Sequence, residues 1–253
     1  MRDEPNVRER LRSIVVLVAT IATIAFNGLA AAGYINGVTP EVISDKYPTI
    51  LTPAGYAFTI WSVIYLGMLA FSIYQLFPAN LLKVRAVRSL YIISCVLNCA
   101  WIYFWHREQI GICLALILSL LVTLILMLVR FRRFGADGGP LFTKSVFGVY
   151  AGWVTAATLV NLVIFVKYLG VEMSSTMWNT LGVGFILIAA VLAVIARLKI
   201  QNYLYPLAIA WAATAIAVKQ SGNTAIVVAS SVCVIVCLVM AVSFVLDQKS
   251  TTT

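Results

Sequence analysis

The chain has 253 residues, of which 62% are hydrophobic and only 11% are charged, and its formal net charge is +9. A soluble domain carries about a quarter charged residues, so this composition excludes soluble, disordered and disulfide-rich secreted classes and favours an all-α integral membrane protein in a lipid bilayer. A basic chain can bind nucleic acid, but here the basic residues follow the membrane topology, and we expect no nucleic-acid partner.

The sequence predicts eight transmembrane helices, each without Asp, Glu, Lys or Arg. They cover residues 14–33, 55–76, 89–105, 110–129, 146–166, 177–196, 203–218 and 223–246. Helices of this size are roughly 24–36 Å long at about 1.5 Å per residue, which suits a hydrocarbon core of about 30 Å. The first apolar run is longer than the core of a signal peptide, which favours a retained first helix.

Basic residues predict the orientation of these helices. Of the 18 lysines and arginines, 14 fall on one side of the predicted topology and four on the other. By the positive-inside rule, both termini are expected to be cytoplasmic, with a basic tail at 1–13 and a short tail at 247–253. We therefore expect a multi-pass protein of the plasma (inner) membrane.

Side chains that could support catalysis or bind a metal are scarce in the predicted spans. No span carries an ionisable carboxylate or amine, which argues against ion coupling, and no Ser/His/Asp set or P-loop is present. Five cysteines lie inside spans and the single histidine, His106, lies at a membrane boundary, so we expect no metal site. An enzymatic activity is left open but is not favoured.

Aromatic and amide side chains recur on one face of the second, third and fifth helices. Their spacings of three or four residues place each set on a single helical face, at similar depth in the outer half of the bilayer. The residues are Trp61, Tyr65, Asn98, Trp101, Tyr150, Trp153, Ala157 and Asn161. Spacing alone leaves two interpretations open, a lock between helices and a ligand pocket.

The same residues resemble the TspO/MBR family, the tryptophan-rich sensory proteins related to the mitochondrial translocator protein. The resemblance lies in three ordered motifs, TPAGYAFTIWSVIY at 52–65, LNCAWIYF at 97–104 and YAGWVTAATLVN at 150–161. It implies a TspO-like five-helix core over residues 14–168, with a three-helix membrane extension over 169–246.

The resemblance also implies a ligand. Similar proteins enclose a pocket for planar apolar molecules, notably porphyrins and haem, and we predict that the seven aromatic and amide positions above, together with Ala157, bind such a molecule. No cofactor is required, although a bound porphyrin or haem is a candidate. The loop 34–54 is expected to act as a lid, but it lacks the family's tryptophan, which argues against porphyrin degradation.

The expected function is therefore a membrane receptor or binding protein for a planar, tetrapyrrole-like ligand, which it senses or carries. Two alternatives remain open from the sequence. One is an uncoupled transporter of small amphipathic solutes, and the other is a structural membrane subunit. A homodimer is also left open.

Overall fold

A computed structural model describes residues 7–78, 80–133 and 141–250, with side chains placed over 7–78, 80–132 and 145–243. These residues form helices and no strands. The helices are α1 (Val7–Ala31), α2 (Pro40–Lys46), α3 (Ile60–Tyr74), α4 (Arg88–His106), α5 (Ile110–Arg133), α6 (Leu141–Tyr168), α7 (Ser175–Ile195), α8 (Leu204–Lys219) and α9 (Thr224–Ser250). A 3₁₀ turn, Gly55–Thr59, leads into α3, and a π-helical turn, Ala196–Ile200, follows α7.

Among the described residues, seven helical segments are long and apolar enough to cross a membrane. The prediction of an all-α integral membrane protein is thus confirmed. The predicted count of eight spans stays a prediction, because α8 is apolar but has only 16 residues, a length of about 24 Å. The sequence analysis also missed α2, a short helix inside the predicted loop 34–54 that has proline at its first position, where proline is tolerated.

The first of two compact units contains residues 1–40 and 61–147. Within it, α1 packs on α4, and α4 packs on α5. One end of its core is aromatic: the Phe71 ring lies 5.1 Å from the Tyr91 ring and 5.0 Å from the Phe147 ring, while Phe131 stacks on Phe147 at 5.5 Å. Such ring contacts stabilise the packing of the helices through dispersion and through the burial of apolar surface.

The side of α1 that faces the interior is polar, although the helix as a whole is strongly apolar. Its buried residues are Glu9, Ser13, Val16, Thr20, Thr23, Asn27 and Ala30. We call the five polar members of this set the polar face of α1. It extends from Glu9 to Asn27, a rise of about 27 Å along the helix, which is close to the thickness of a hydrocarbon core.

A buried ion pair closes one end of this face. Arg88 has no exposed surface, and its Nη1 donates to Glu9 Oε2 at 2.7 Å. The same guanidinium donates from Nε to Gln75 Oε1 at 2.9 Å and from Nη2 to the Leu81 carbonyl at 2.5 Å. Glu9 is therefore a helical residue of α1, although it precedes the predicted span, which starts at residue 14.

A cluster of hydroxyl groups continues the polar face further along α1. Thr20 Oγ1 lies 2.5 Å from both Ser72 Oγ and Tyr91 Oη, which brings α1, α3 and α4 together. Thr20 also donates to the Val16 carbonyl of its own helix. Inside a bilayer, water is not available as a hydrogen-bond partner for these hydroxyls. Hydrogen bonds between the helices therefore fix their arrangement.

The second unit contains residues 41–60 and 148–253. In it, α8 packs on α9, and α7 packs on both α8 and α9. Where α6 crosses α8, a Cβ added at Gly152 would lie 2.5 Å from the Tyr205 carbonyl oxygen, so only glycine allows this approach. The boundaries of the two compact units differ from the predicted division at residue 168. That division stays a prediction.

Replacing Arg88 by methionine should destabilise the protein strongly, because Glu9 would lose its buried partner. We expect a loss of about 3 kcal/mol, the size measured when one member of a buried pair is removed. Thermal unfolding in detergent measures it, with the exposed Lys83→Met as the matched control. An Arg88→Met protein as stable as Lys83→Met would contradict this account, and the double variant Arg88→Met/Glu9→Gln should recover part of the loss.

Substitution of Gly152 by alanine should separate α6 from α8, because the added methyl group meets main-chain atoms that cannot rotate away. We expect destabilisation of about 1–3 kcal/mol, as for other overpacked sites. Gly184→Ala is the matched control, since a Cβ at that helical glycine has no atom within 4 Å. Equal melting temperatures for the two variants would show that the crossing is not close-packed.

Candidate functional site

The structure distributes the eight predicted site residues equally between the two units. Trp61, Tyr65, Asn98 and Trp101 belong to the first unit, on α3 and α4; Tyr150, Trp153, Ala157 and Asn161 belong to the second, on α6. Each group of four therefore lies within one unit. The prediction that all eight bind one ligand stays a prediction.

Two pairs of parallel aromatic rings lie in the first unit. On α3, Trp61 stacks on Tyr65 with ring centroids 5.5 Å apart and planes 16° apart. On α4, Trp101 stacks on Trp105 at 5.5 Å and 17°. The spacing of four residues explains both pairs, because it places side chains one above the other on a helix. Flat faces of this kind suit the stacking of a flat ring.

The amide of Asn98 is already used inside the protein. Asn98 is fully buried, and its Oδ1 accepts a hydrogen bond of 2.7 Å from Asn27 Nδ2 on α1. This contact is the lock between helices that the sequence left open as an alternative to a ligand pocket. The sequence analysis missed Asn27, although an amide inside the first predicted span was a signal of the same kind.

The two stacked tryptophans of α4 differ in their hydrogen bonding. Trp105 Nε1 donates to the Pro40 carbonyl at 3.1 Å, and its ring is 3% exposed, so it is a buried residue rather than an interfacial one. Trp101 is 5% exposed, and its Nε1 has no hydrogen-bond partner among the described residues. A buried unsatisfied donor costs about 1–3 kcal/mol, so a bound acceptor there would be stabilising.

In the second unit, α6 presents a stripe of four predicted site residues. Tyr150 is fully buried, and the Trp153 ring meets Phe58 edge to face at 6.2 Å. Ala157 is half-buried. Asn161 Nδ2 donates to the Ala157 carbonyl at 2.9 Å, whereas its Oδ1 is buried and lacks a partner among the described residues. The stripe therefore ends in an acceptor that a ligand donor could satisfy.

His106 carries a further buried polar atom that the sequence analysis did not use. The residue is 2% exposed, and its Nδ1 lies 2.9 Å from the Ile102 carbonyl, which requires a proton on Nδ1. Nε2 then holds a lone pair, with no partner among the residues that the structure describes. No group of three His, Cys, Asp or Glu in those residues could hold a metal ion.

Residues 45–57, which we call the strap, lie along α8 in the second unit. Lys219 Nζ pairs with Asp45 Oδ1 at 2.8 Å, and Gln220 Nε2 donates to the Thr49 carbonyl at 2.9 Å. Closer to α3, the Ala54 amide donates to the Ala215 carbonyl, and Trp211 Nε1 donates to the Ala57 carbonyl. The strap includes residues 45–54 of the predicted lid 34–54, and main-chain and side-chain hydrogen bonds attach it to α8.

Comparison with known proteins gives one match. A family model described as TSPO-like protein matches residues 13–243. The match therefore includes the segment beyond residue 168, which the three motifs do not reach. No curated protein and no solved structure matches the chain.

The Asn27–Asn98 bond should appear as a coupling energy in a double-mutant cycle of alanine substitutions. Hydrogen bonds between membrane helices couple by about 0.6 kcal/mol on average, and we expect a value of this size. Unfolding in detergent measures it, and a cycle of Asn27→Ala with Ser119→Ala is the control, because Ser119 is exposed and bonds to its own helix. Additive effects in the Asn27/Asn98 cycle would contradict the lock.

Proposed function

Because the chain belongs to the TSPO-like protein family, we propose that it binds a planar apolar ligand of the tetrapyrrole class inside the membrane. Membership supports a membrane role in tetrapyrrole-related binding or transport in general. The seven long apolar helices make it an integral multi-pass membrane protein.

The unpartnered indole N–H of Trp101 is the observation that carries this proposal. It belongs to a buried stacked aromatic pair, so a donor without a partner lies beside two flat apolar rings. A ligand that fits has a flat apolar body and an acceptor at its edge, such as the carboxylates of a porphyrin. Stacking would then bury the apolar surface of the ligand, and the single hydrogen bond would fix the orientation of the ligand.

Asn98 has a different role in this proposal from the one that its position in the motif suggests. Its Oδ1 is bonded to Asn27, so it orients α4 against α1 and positions Trp101 one turn further along the helix. If the ligand is haem, His106 Nε2 is the imidazole nitrogen that would bind its iron.

The proposal also covers the orientation of the protein in the membrane and its relation to transport. We propose cytoplasmic termini, on the excess of basic residues on one side, and a plasma (inner) membrane location. The absence of ionisable side chains from the middle of the predicted spans favours binding or sensing over ion-coupled transport. Uptake of porphyrin into vesicles containing the protein would instead favour the uncoupled transporter.

A quenching titration with protoporphyrin IX tests the role of Trp101. Trp101→Phe keeps a six-membered aromatic ring and removes the five-membered ring with its N–H donor, and we expect about three- to tenfold weaker binding, the value of one hydrogen bond. Trp178→Phe, on α7, removes one fluorophore in the same way and should leave the midpoint unchanged. Midpoints rather than amplitudes are compared.

Stability distinguishes this role from a structural one. The ligand-free Trp101→Phe protein should melt close to the temperature of the unmodified protein, because removing a buried donor without a partner offsets the packing lost with the smaller ring. Equal, non-saturable quenching in all three proteins would overturn tetrapyrrole binding. A lower melting temperature with unchanged binding would assign Trp101 to packing.

A further inference from the structure

A cleft of about 230 Å³ lies beside the start of α1 in the first unit, away from the aromatic pairs. Arg10, Ser13 and Ile14 of α1 line one wall, and Leu76, Pro78 and Leu81 of the connection between α3 and α4 line the other. One end of the cleft is therefore cationic and the remainder mostly apolar. An amphiphile with an anionic head matches this division.

The walls of the cleft are fixed by the buried ion pair and its partners. Gln75 Nε2 donates to the Ser13 carbonyl at 2.7 Å, and Arg88 donates to the Leu81 carbonyl on the opposite wall. Ser13 and Leu81 are 3% and 2% exposed. Because both walls are bonded to one network, a ligand would enter a preformed cleft and would not have to order it.

The charges around the cleft leave Arg10 available. Its neighbour Arg12 donates to Glu9 Oε1 and to Ser89 Oγ, whereas Arg10 is exposed and forms no ion pair with the described residues. Lys83 and Arg85 are exposed in the same α3–α4 connection. The region is thus positive where α1 enters the membrane, and an anion there would be attracted from several sides.

We propose that this cleft binds the headgroup of an anionic phospholipid. The phosphate meets Arg10, while the glycerol and the first part of an acyl chain lie over Ile14 and Leu76. The lipid would contact α1 and the α3–α4 connection together and so stabilise their association. The site is independent of the proposed tetrapyrrole site and survives if that proposal fails.

Native mass spectrometry of the purified protein with added phosphatidylglycerol tests whether the charge of Arg10 contributes to lipid binding. We expect Arg10→Gln to weaken the tightest lipid adduct about fivefold, as for the loss of one basic side chain at an anionic surface. Arg8→Gln is the matched control, because Arg8 is exposed on the same helix and does not line the cleft. Equal weakening by both variants would show a diffuse attraction and overturn the site.

A second pair of variants tests the shape of the cleft. Ile14→Trp should fill the cleft and weaken the adduct with Arg10 intact, whereas Ile21→Trp, seven residues further along α1 and similarly exposed, should not. Phosphatidylcholine should bind all variants equally. Full displacement of the lipid by millimolar inorganic phosphate would mean that the cleft recognises phosphate alone and would overturn the lipid assignment.

Discussion

A salt bridge between Glu9 and Arg88 joins four parts of the first unit. Arg88 bonds to the start of α1, to the end of α3 through Gln75 and to the α3–α4 connection through Leu81. A guanidinium without exposed surface is costly unless each of its groups has an acceptor, and here each one does. The pair and its partners therefore connect α1 to the α3–α4 connection and fix the two walls of the proposed lipid cleft.

The polar face of α1 shows how the first unit obtains specificity in an apolar solvent. Lipid covers apolar side chains as well as another helix does, so an apolar face would leave the register of α1 undetermined. Hydrogen bonds to Ser72, Tyr91 and Asn98 fix that register at separate heights. The outer face can then remain apolar, with Val18 and Ile21 exposed to the bilayer.

The sequence predicted the fold class well because composition and apolar run length depend directly on the bilayer. It predicted less of the site. Glu9 and Arg88 were counted only as flanking charges, since nothing in a single sequence pairs residues 79 positions apart. Spacing placed Asn98 and Trp101 on one helical face, but it could not tell which side chain had a partner. That distinction depends on Asn27, which lies on another helix.

The attachment of the strap has a consequence for the order in which the protein can be completed. Trp211 and Lys219 are 154 and 174 residues beyond their partners in the strap. During synthesis, residues 45–57 therefore leave the ribosome long before α8 does. Until α8 has been made, they lack the hydrogen bonds and the ion pair that attach them to it. These contacts of the strap can form only after α8 has been synthesised, so a chain that stops before α8 leaves an early segment without its binding surface.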